Sequence, residues 1–182
     1  MFTEIRDWLI TIGEAVLLTT FLIFFVAQSF LVKGYSMEPT LHNGERVMVE
    51  KISYRFRQPK RGEIVIVKNP LQKEEKYIKR IIGLPGDKID IREGSLYIND
   101  VLLDEDYIAE PIAFWYQKSC EVPPGHVYVL GDNRNHSDDS RRIGPIPLDH
   151  VLGRVAFVYW PFKNFELIKQ PEVLSGLEVY NH

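Results

Sequence analysis

Cysteine is scarce in this 182-residue chain, which holds only Cys120. A single cysteine cannot close an intrachain disulfide, so a disulfide-stabilised scaffold is excluded and the fold must depend on its hydrophobic core. A positive charge excess is also lacking, because 22 lysine and arginine residues are opposed by 25 aspartate and glutamate residues, a formal net charge of −3. Without a broadly basic surface, a nucleic-acid partner is not expected.

Long hydrophobic runs are few as well, and residues 15–32 form the only one without a charged side chain. As a helix this run would be about 27 Å long, close to the roughly 30 Å of a bilayer's hydrocarbon core. It therefore predicts an N-terminal single transmembrane helix, in an anchor assigned to residues 1–32, with a buried core helix as the alternative. A cleavable signal peptide fits less well, because Glu4 and Asp7 outnumber Arg6 where such a peptide is positively charged.

The remaining chain lacks the amphipathic helical stretches that alternate with strands in parallel sheets, which argues against βαβ folds. It consists instead of short runs rich in valine, isoleucine and tyrosine, each bounded by turn-forming residues. These runs are residues 45–51, 63–68, 77–82, 88–91, 96–98, 127–130 and 151–160. The pattern predicts a mainly β fold, with an antiparallel β-sheet or partly closed barrel-like domain over residues 33–182.

Residues 99–124 are predicted to form a variable insertion in this β domain. Asn99-Asp100 is a candidate hairpin corner. The segment also carries the acidic run Asp104-Glu105-Asp106 and the aromatic run Phe114-Trp115-Tyr116. We interpret it as a solvated insertion held by a few aromatic side chains and assign it no chemistry; a partner surface is the alternative.

Two residues outside this insertion could react with a substrate. Ser36 lies four residues beyond Val32, at most about 14 Å from the end of the apolar run. In a strand over residues 77–82, Lys79 shares an apolar face with Tyr77 and Ile81. A lysine with an ordinary pKa is neutral in about one molecule in 2,500 at pH 7, but burial lowers that pKa. The structural alternatives are a turn serine and a lysine that reaches water from a sheet edge.

Histidine offers no clear partner for a reactive serine. None of the five histidines, His42, His126, His136, His150 and His182, stands in a context that distinguishes it. Asp132, His136, Ser137 and Asp139 contain the residue types of a triad, but close neighbours in a polar loop rarely converge with triad geometry. The same loop does not offer the alternating oxygen ligands of a calcium site. We therefore expect neither a metal site nor a cofactor.

Four ordered blocks resemble the conserved boxes of bacterial type I signal peptidases in their short, single-anchor form. The blocks are GYSMEPTL at 34–41, RGEIV at 61–65, YIKRIIGLPGD at 77–87 and GDNRNHSDDSR at 131–141. The resemblance extends from the anchor to about Pro161. It implies a membrane-anchored serine endopeptidase that removes signal peptides from exported preproteins, cutting after small residues of an Ala-x-Ala type site. It further implies a Ser/Lys dyad in which Ser36 is the nucleophile and Lys79 the general base.

The resemblance also implies supporting roles for other residues. Ser137 would orient the lysine by a hydrogen bond. A polar and ionic framework would be formed by Arg80, Asp132, Arg134, Asp139 and Arg141. Shallow pockets for the small substrate residues would be lined by Val32, Met37, Leu41, Tyr77 and Ile78. One departure is Gly34, where some members of the family carry a serine whose hydroxyl completes the oxyanion hole, and another is His136, which replaces a common asparagine.

The expected partners are the signal peptides of exported preproteins and the lipid bilayer, with no obligate protein partner. The expected location is the cytoplasmic membrane, with the β domain on its extracytoplasmic side. Three other functions stay open: an autoproteolytic regulator of the SOS-repressor kind, which uses a similar dyad, a non-catalytic membrane-anchored β binding module, and a histidine-dependent serine hydrolase. An apolar N-terminal run in place of a DNA-binding domain argues against the regulator.

Overall fold

The computed structural model describes residues 2–21, 27–72, 74–113 and 119–176. Its helices are α1 (Phe2–Phe21), α2 (Ser140–Ile143) and α3 (Glu172–Gly176). Its strands are β1 (Ala27–Leu31), β2 (Arg46–Glu50), β3 (Ile64–Lys68), β4 (Lys76–Gly83), β5 (Lys88–Arg92), β6 (Ser95–Ile98), β7 (Val101–Leu102), β8 (Cys120–Glu121), β9 (His126–Leu130), β10 (Ile146–Pro147), β11 (Val151–Trp160) and β12 (Glu166–Leu167). Short 3₁₀ turns lie at Ser53–Arg55, Arg134–His136, Leu148–His150 and Phe162–Asn164.

The predicted N-terminal transmembrane helix is wrong. Of the uncharged run, residues 15–21 belong to the end of α1 and residues 27–31 form strand β1, which pairs antiparallel with β2 and so satisfies its backbone groups in a sheet. Helix α1 also begins well before the run and includes Glu4, Arg6, Asp7 and Glu14. Across the described part of the chain, no helix is both long enough and apolar enough to cross a membrane.

The prediction of a mainly β, antiparallel fold is confirmed. The larger sheet has the order β1-β2-β11-β3-β4-β9-β10, with β12 added to β11, and each neighbouring pair is antiparallel. Strand β11 pairs with β2 on one side and β3 on the other, and the register shifts twice against β2 and once against β3. Such irregularities bend a strand and increase its twist, which favours a curled sheet over a flat one.

A second, smaller sheet has the order β7-β6-β5-β8, and its short strands β7 and β8 belong to the predicted insertion. Asn99 and Asp100 connect β6 to β7 with φ values of 52° and 65°, so the predicted hairpin corner is confirmed. Leu103, Ile112 and Val122 are buried, so the insertion contributes to a core as well as to the surface. The aromatic run at 114–116 lies outside the described residues. The division into domains 1–32 and 33–182 stays a prediction.

Three buried clusters form the core, and the first of them joins the two sheets. The first joins the smaller sheet to the ends of β4 and β9 through Ile82 and Leu130. The second lies among β2, β3 and β11 and also contains Val32, Met37 and Leu41 from the segment that follows β1. The third packs β3, β4 and β9 against β10. Burying each such aliphatic side chain contributes about 1.5–3 kcal/mol, so the segment containing Ser36 is firmly attached to the larger sheet.

Candidate active site

Ser36 lies in a loop that connects the neighbouring strands β1 and β2. Two backbone hydrogen bonds close the loop at its base, from Val32 to the Glu45 carbonyl at 2.8 Å and from Gly44 to the Val32 carbonyl at 3.0 Å. Met37 and Leu41 are buried, and the Leu41 amide donates to the Met37 carbonyl at 2.9 Å. The loop is therefore held at its base and by two apolar side chains, which fixes the backbone around Ser36.

A second loop, residues 131–141, packs against the backbone of Ser36. The Asn133 amide donates to the Ser36 carbonyl at 3.0 Å. At Gly131 the approach is so close that a Cβ would overlap the Ser36 carbonyl oxygen and the Ser137 hydroxyl. Glycine is therefore the only residue that allows the two loops to touch in this way.

Strand β4 places Lys79 beside Ser36. Lys79 pairs in register with Val65 of β3, and its side chain is only 3% exposed. The Nζ atom donates a hydrogen bond to the Ser36 hydroxyl at 2.8 Å and lies 5.3 Å from the centre of the Tyr77 ring. The two side chains that the sequence singles out are thus in direct contact, although 43 positions separate them in the chain.

Burial lowers the pKa of Lys79 to about 8, because the charged amine loses its hydration. The negative charges of Asp139, Asp138 and Asp132 oppose this shift, and the positive charge of Arg141 adds to it. A pKa near 8 corresponds to about one neutral amine in ten at pH 7. The bias toward the neutral form is about 3 kcal/mol relative to an ordinary lysine.

Arg80, the next residue on β4, points to the other face and anchors three segments. Its guanidinium donates to both carboxylate oxygens of Asp132, at 2.8 and 2.6 Å, and to the Gly62 carbonyl at 2.9 Å. Asp132 also accepts a hydrogen bond from the Thr40 hydroxyl at 2.6 Å. The Arg80–Asp132 pair is almost fully buried. It ties β4 to the Ser36 loop and to the 131–141 loop.

Asp139 and Arg141 organise the far end of the 131–141 loop. The Arg141 guanidinium donates to both oxygens of Asp139 at 2.8 Å and to the Arg134 carbonyl at 2.6 Å. Asp139 caps α2 and accepts a hydrogen bond from the Gly131 amide at 3.1 Å. Arg134 in turn donates to the Gly131 carbonyl at 3.0 Å. The predicted framework residues are therefore connected by hydrogen bonds within the 131–141 loop and between this loop and β4, the strand that carries Lys79.

Ser137 differs from its expected arrangement. Its hydroxyl is buried next to Gly131 but has no hydrogen-bond partner among the described residues, so the expected bond to Lys79 is not formed. The amine instead has the Ser36 hydroxyl as its partner.

The expected pocket residues divide into two groups. Val32, Met37 and Leu41 belong to one buried cluster, and Ile78 packs against that cluster. Tyr77 packs against a different cluster, and its hydroxyl donates to Glu75 at 2.7 Å. The structure thus brings four of the five side chains together in one cluster and places the fifth, Tyr77, on another cluster, with its ring 5.3 Å from the Lys79 amine.

None of the four histidines that the structure describes is bonded to Ser36 or Lys79. His42 is 3.5 Å from Glu38, His126 contacts the Pro124 carbonyl, and His136 lies 3.2 Å from the Asn133 side chain. His182 lies outside the described residues. Within the ranges that the structure describes, no group of three His, Cys, Asp or Glu side chains could hold a metal ion.

Three residues of this region have no role in the sequence analysis. Thr40 binds Asp132, and Glu105 and Tyr107 of the insertion contact Arg134. Counting charges in the sequence does not reveal these contacts, because the four recognised blocks contain four arginines and also four buried carboxylates, those of Glu63, Asp87, Asp132 and Asp139. Near Gly34, whose φ is 91°, Asn43 accepts a hydrogen bond from the Gly34 amide at 3.0 Å.

Comparison with known proteins gives a consistent result. The family model described as signal peptidase, peptidase S26, matches residues 5–160. A probable signal peptidase I-2 of Synechocystis sp. is 41% identical over 175 residues, which are 93% of this chain and 79% of the relative. Signal peptidase IB of Staphylococcus aureus is 35% identical over 189 residues, covering 94% of this chain and 98% of the relative. A crystal structure of a signal peptidase I from Enterococcus faecalis V583 is 35% identical, with a TM-score of 0.47 over 54% of this chain and 97% of that chain.

Proposed function

Because the chain belongs to the signal peptidase family, peptidase S26, we propose that Ser36 and Lys79 are the catalytic dyad with which it cuts signal peptides from exported preproteins. The chain is a serine peptidase of the signal peptidase I type. The observation that carries the dyad is the 2.8 Å contact between the buried Lys79 amine and the Ser36 hydroxyl. The low pKa of the amine supports it, because only a neutral amine can accept a proton.

The proposed reaction has four proton transfers at Lys79, two while the ester to Ser36 forms and two while it is hydrolysed. In the first step the Ser36 oxygen attacks the carbonyl carbon of the scissile bond while neutral Lys79 accepts the hydroxyl proton. The resulting ammonium then donates this proton to the departing amine, and an ester to Ser36 remains. Water next attacks the ester carbon, with Lys79 again accepting a proton, and the released Ser36 oxygen recovers one. The amine ends the cycle neutral.

The negative oxygen of the tetrahedral intermediate needs hydrogen-bond donors. We assign this role to the Ser36 backbone amide. A hydroxyl at position 34 is lacking, and removal of one such donor typically costs about 2.7–4 kcal/mol of transition-state stabilisation. The φ of 91° at Gly34 favours glycine over serine at that position, which fits a site built without that hydroxyl.

Specificity for small residues before the cut is proposed for the surface around Val32, Met37, Leu41, Tyr77 and Ile78. The first three of these side chains are almost fully buried, and the last two are half-buried. Such a surface leaves little open space next to Ser36 for a large substrate side chain. It would therefore select alanine-sized residues mainly by exclusion.

A position at the outer face of the cytoplasmic membrane is also proposed. Leu31, Arg46 and Trp160 lie in register at one end of the larger sheet, and the Trp160 ring packs 5.0 Å from that of Phe162. Leu31, Trp160 and Phe162 are 44%, 46% and 75% exposed. We call these four side chains the sheet-end patch. An exposed apolar group beside a basic residue suits a lipid surface, and Leu31 is close to Ser36 in the chain.

The dyad is tested by the separate substitutions Ser36→Ala and Lys79→Ala. On a precursor with an Ala-x-Ala junction, each should lower kcat by about 10⁴-fold or more, because the two groups act as a unit. Alanine substitutions at His42, His126, His136 and His150 serve as matched controls and should retain activity. Loss with a histidine substitution but not with Lys79→Ala would contradict the dyad. Cleavage of the chain itself as the only activity would favour the autoproteolytic regulator, and no cleavage by the folded chain would favour the binding module.

A further inference from the structure

Three buried arginines lie behind the Ser36–Lys79 contact, and each is paired with a buried carboxylate. Arg80 pairs with Asp132, and Arg141 pairs with Asp139; both carboxylates belong to the 131–141 loop. The third arginine, Arg134, is fully buried and has a partner from elsewhere in the fold. Its guanidinium donates to both oxygens of Glu105, at 2.6 and 2.5 Å. Glu105 lies in the segment that follows β7 of the smaller sheet, so this segment supplies the third carboxylate.

Tyr107, from the same segment, lies between two of these guanidinium groups. The centre of its ring is 4.6 Å from the guanidinium carbon of Arg80 and 5.8 Å from that of Arg134. Its hydroxyl donates to Glu105 and accepts a hydrogen bond from Arg134 at 3.2 Å. The ring face attracts both cations and separates them, and the Glu105 carboxylate offsets part of their mutual repulsion.

The arrangement connects the smaller sheet to both members of the dyad. Arg80 follows Lys79 directly on β4, so a displaced Arg80 guanidinium alters the backbone that carries the amine. Arg80 also holds Asp132, which binds Thr40 of the Ser36 loop. A displacement of the Tyr107 ring would therefore shift Lys79 through Arg80. It would also shift Ser36 through Asp132 and Thr40. Reactions of this kind are sensitive to errors of about 1 Å in the placement of reacting groups.

We propose that Glu105 and Tyr107 are positioning residues for the reaction, which hold Arg80 and Arg134 and thereby fix the separation of the Ser36 hydroxyl from the Lys79 amine. The inference rests on the proposed function of that pair. It assigns the smaller sheet a part in catalysis, although none of its residues touches the reacting atoms. A charged residue on the protein surface could not take over either role, because Glu105 and Tyr107 act through buried contacts with Arg80 and Arg134.

The test compares kcat and KM of the full chain on a soluble peptide with an Ala-x-Ala junction. Glu105→Gln keeps the shape of the side chain and removes its charge, whereas Tyr107→Leu removes the ring. Each should lower kcat by about 10- to 100-fold and leave KM within about twofold, since the groups act on placement and not on substrate binding. Tyr107→Phe keeps the ring between the two arginines and should restore kcat to within about threefold of the unsubstituted chain.

A matched control is Tyr97→Leu, which removes another ring of the smaller sheet that lies 4.8 Å from an arginine, Arg92, but outside this framework. It should leave kcat unchanged. Circular dichroism at the assay temperature establishes that each variant is folded, and Glu105→Gln decides the question if Tyr107→Leu does not fold. Folded variants with the original kcat, or a loss as large in Tyr97→Leu, would overturn the inference. Ser36→Ala, assayed in parallel, separates this result from a failure of the proposed function, because that variant must be inactive if the dyad operates.

Discussion

At the residue scale, the proposed chemistry depends on the charge of a single amine. Lys79 is buried on an apolar strand face, with the Ser36 hydroxyl at hydrogen-bond distance. Three aspartates in its surroundings favour the charged form, but the loss of hydration outweighs them and the pKa falls to about 8. The positive charge of Arg141, which pairs with Asp139, lowers the pKa further. The framework residues therefore influence the pKa of Lys79 through their charges, and they also hold the strand that carries it.

The pH dependence of cleavage follows from this pKa. The amine is active only when neutral, so kcat/KM should rise with pH and reach half its maximum near pH 8. Asp138→Asn removes a negative charge that raises the lysine pKa and should move this limb to lower pH. The measurement is the initial rate on a peptide substrate between pH 5 and pH 10.

A matched control for that measurement is Asp149→Asn, which removes a carboxylate that is not among the main charges acting on the Lys79 pKa. An unchanged rise of kcat/KM with pH in Asp138→Asn would contradict Lys79 as the group whose titration controls cleavage. An equal shift of this rise in Asp149→Asn would contradict it as well. The comparison needs only kcat/KM, because this parameter reports the free enzyme.

At the scale of elements, two loops and one strand assemble the site. The loop between β1 and β2 supplies the serine, β4 supplies the lysine, and the 131–141 loop packs on the serine backbone. Their junction depends on Gly131, where no side chain fits. Loops held by buried anchors at both ends can place reactive groups nearly as firmly as regular elements do.

Gly131→Ala should therefore disrupt the junction. The added methyl group overlaps the Ser36 carbonyl oxygen and the Ser137 hydroxyl, so the loops must separate. We expect kcat to fall by about 100-fold and the free energy of unfolding to fall by about 1–3 kcal/mol. Gly13→Ala is the control, because a Cβ there meets no atom within 4 Å. Unchanged kcat in folded Gly131→Ala would contradict this account of how Ser36 is held.

At the scale of the whole molecule, the Ser36 loop begins next to the sheet-end patch of the larger sheet. The sheet-end patch includes Leu31, and Ser36 follows five residues later. Helix α1 adds exposed apolar side chains, among them Trp8 and Leu17. A preprotein that meets the enzyme at a lipid surface would have its cleavage site near the depth of Ser36.

Phe162→Asp tests the patch on the complete chain. It should lower kcat/KM about tenfold for a precursor inserted in vesicles of phosphatidylethanolamine and phosphatidylglycerol, because an apolar contact with the lipid is replaced by a repelled charge. Cleavage of a short soluble peptide should not change. Phe56→Asp is the control, since Phe56 is 84% exposed and follows the opposite end of β2. Equal losses on both substrates, or equal losses in both variants, would contradict lipid contact through the patch.

Much of the strand pattern could be predicted from the sequence. The runs at 63–68, 127–130 and 151–160 correspond closely to β3, β9 and β11, because alternating or continuous apolar residues bounded by turn residues are a local signal. The run at 15–32 gave a wrong prediction of a transmembrane helix because its apolar pattern is also only a local signal. A window of uncharged residues does not distinguish a membrane helix from a helix end followed by a paired strand, and only the partner strand β2 decides between them.

The sequence by itself determined which chemistry is available, since the serine and lysine stand in ordered blocks and their residue types limit the reactions. Tertiary structure decided whether that chemistry can occur, because the contact of Ser36 with Lys79 and the burial that lowers the amine's pKa both require strands and loops far apart in the chain. It also decided that Glu105 pairs with Arg134. In addition, it left the Ser137 hydroxyl without the expected hydrogen bond to Lys79. Desolvation and charge pairing depend on all the neighbours of a group in three dimensions, and a linear pattern contains only those along the chain.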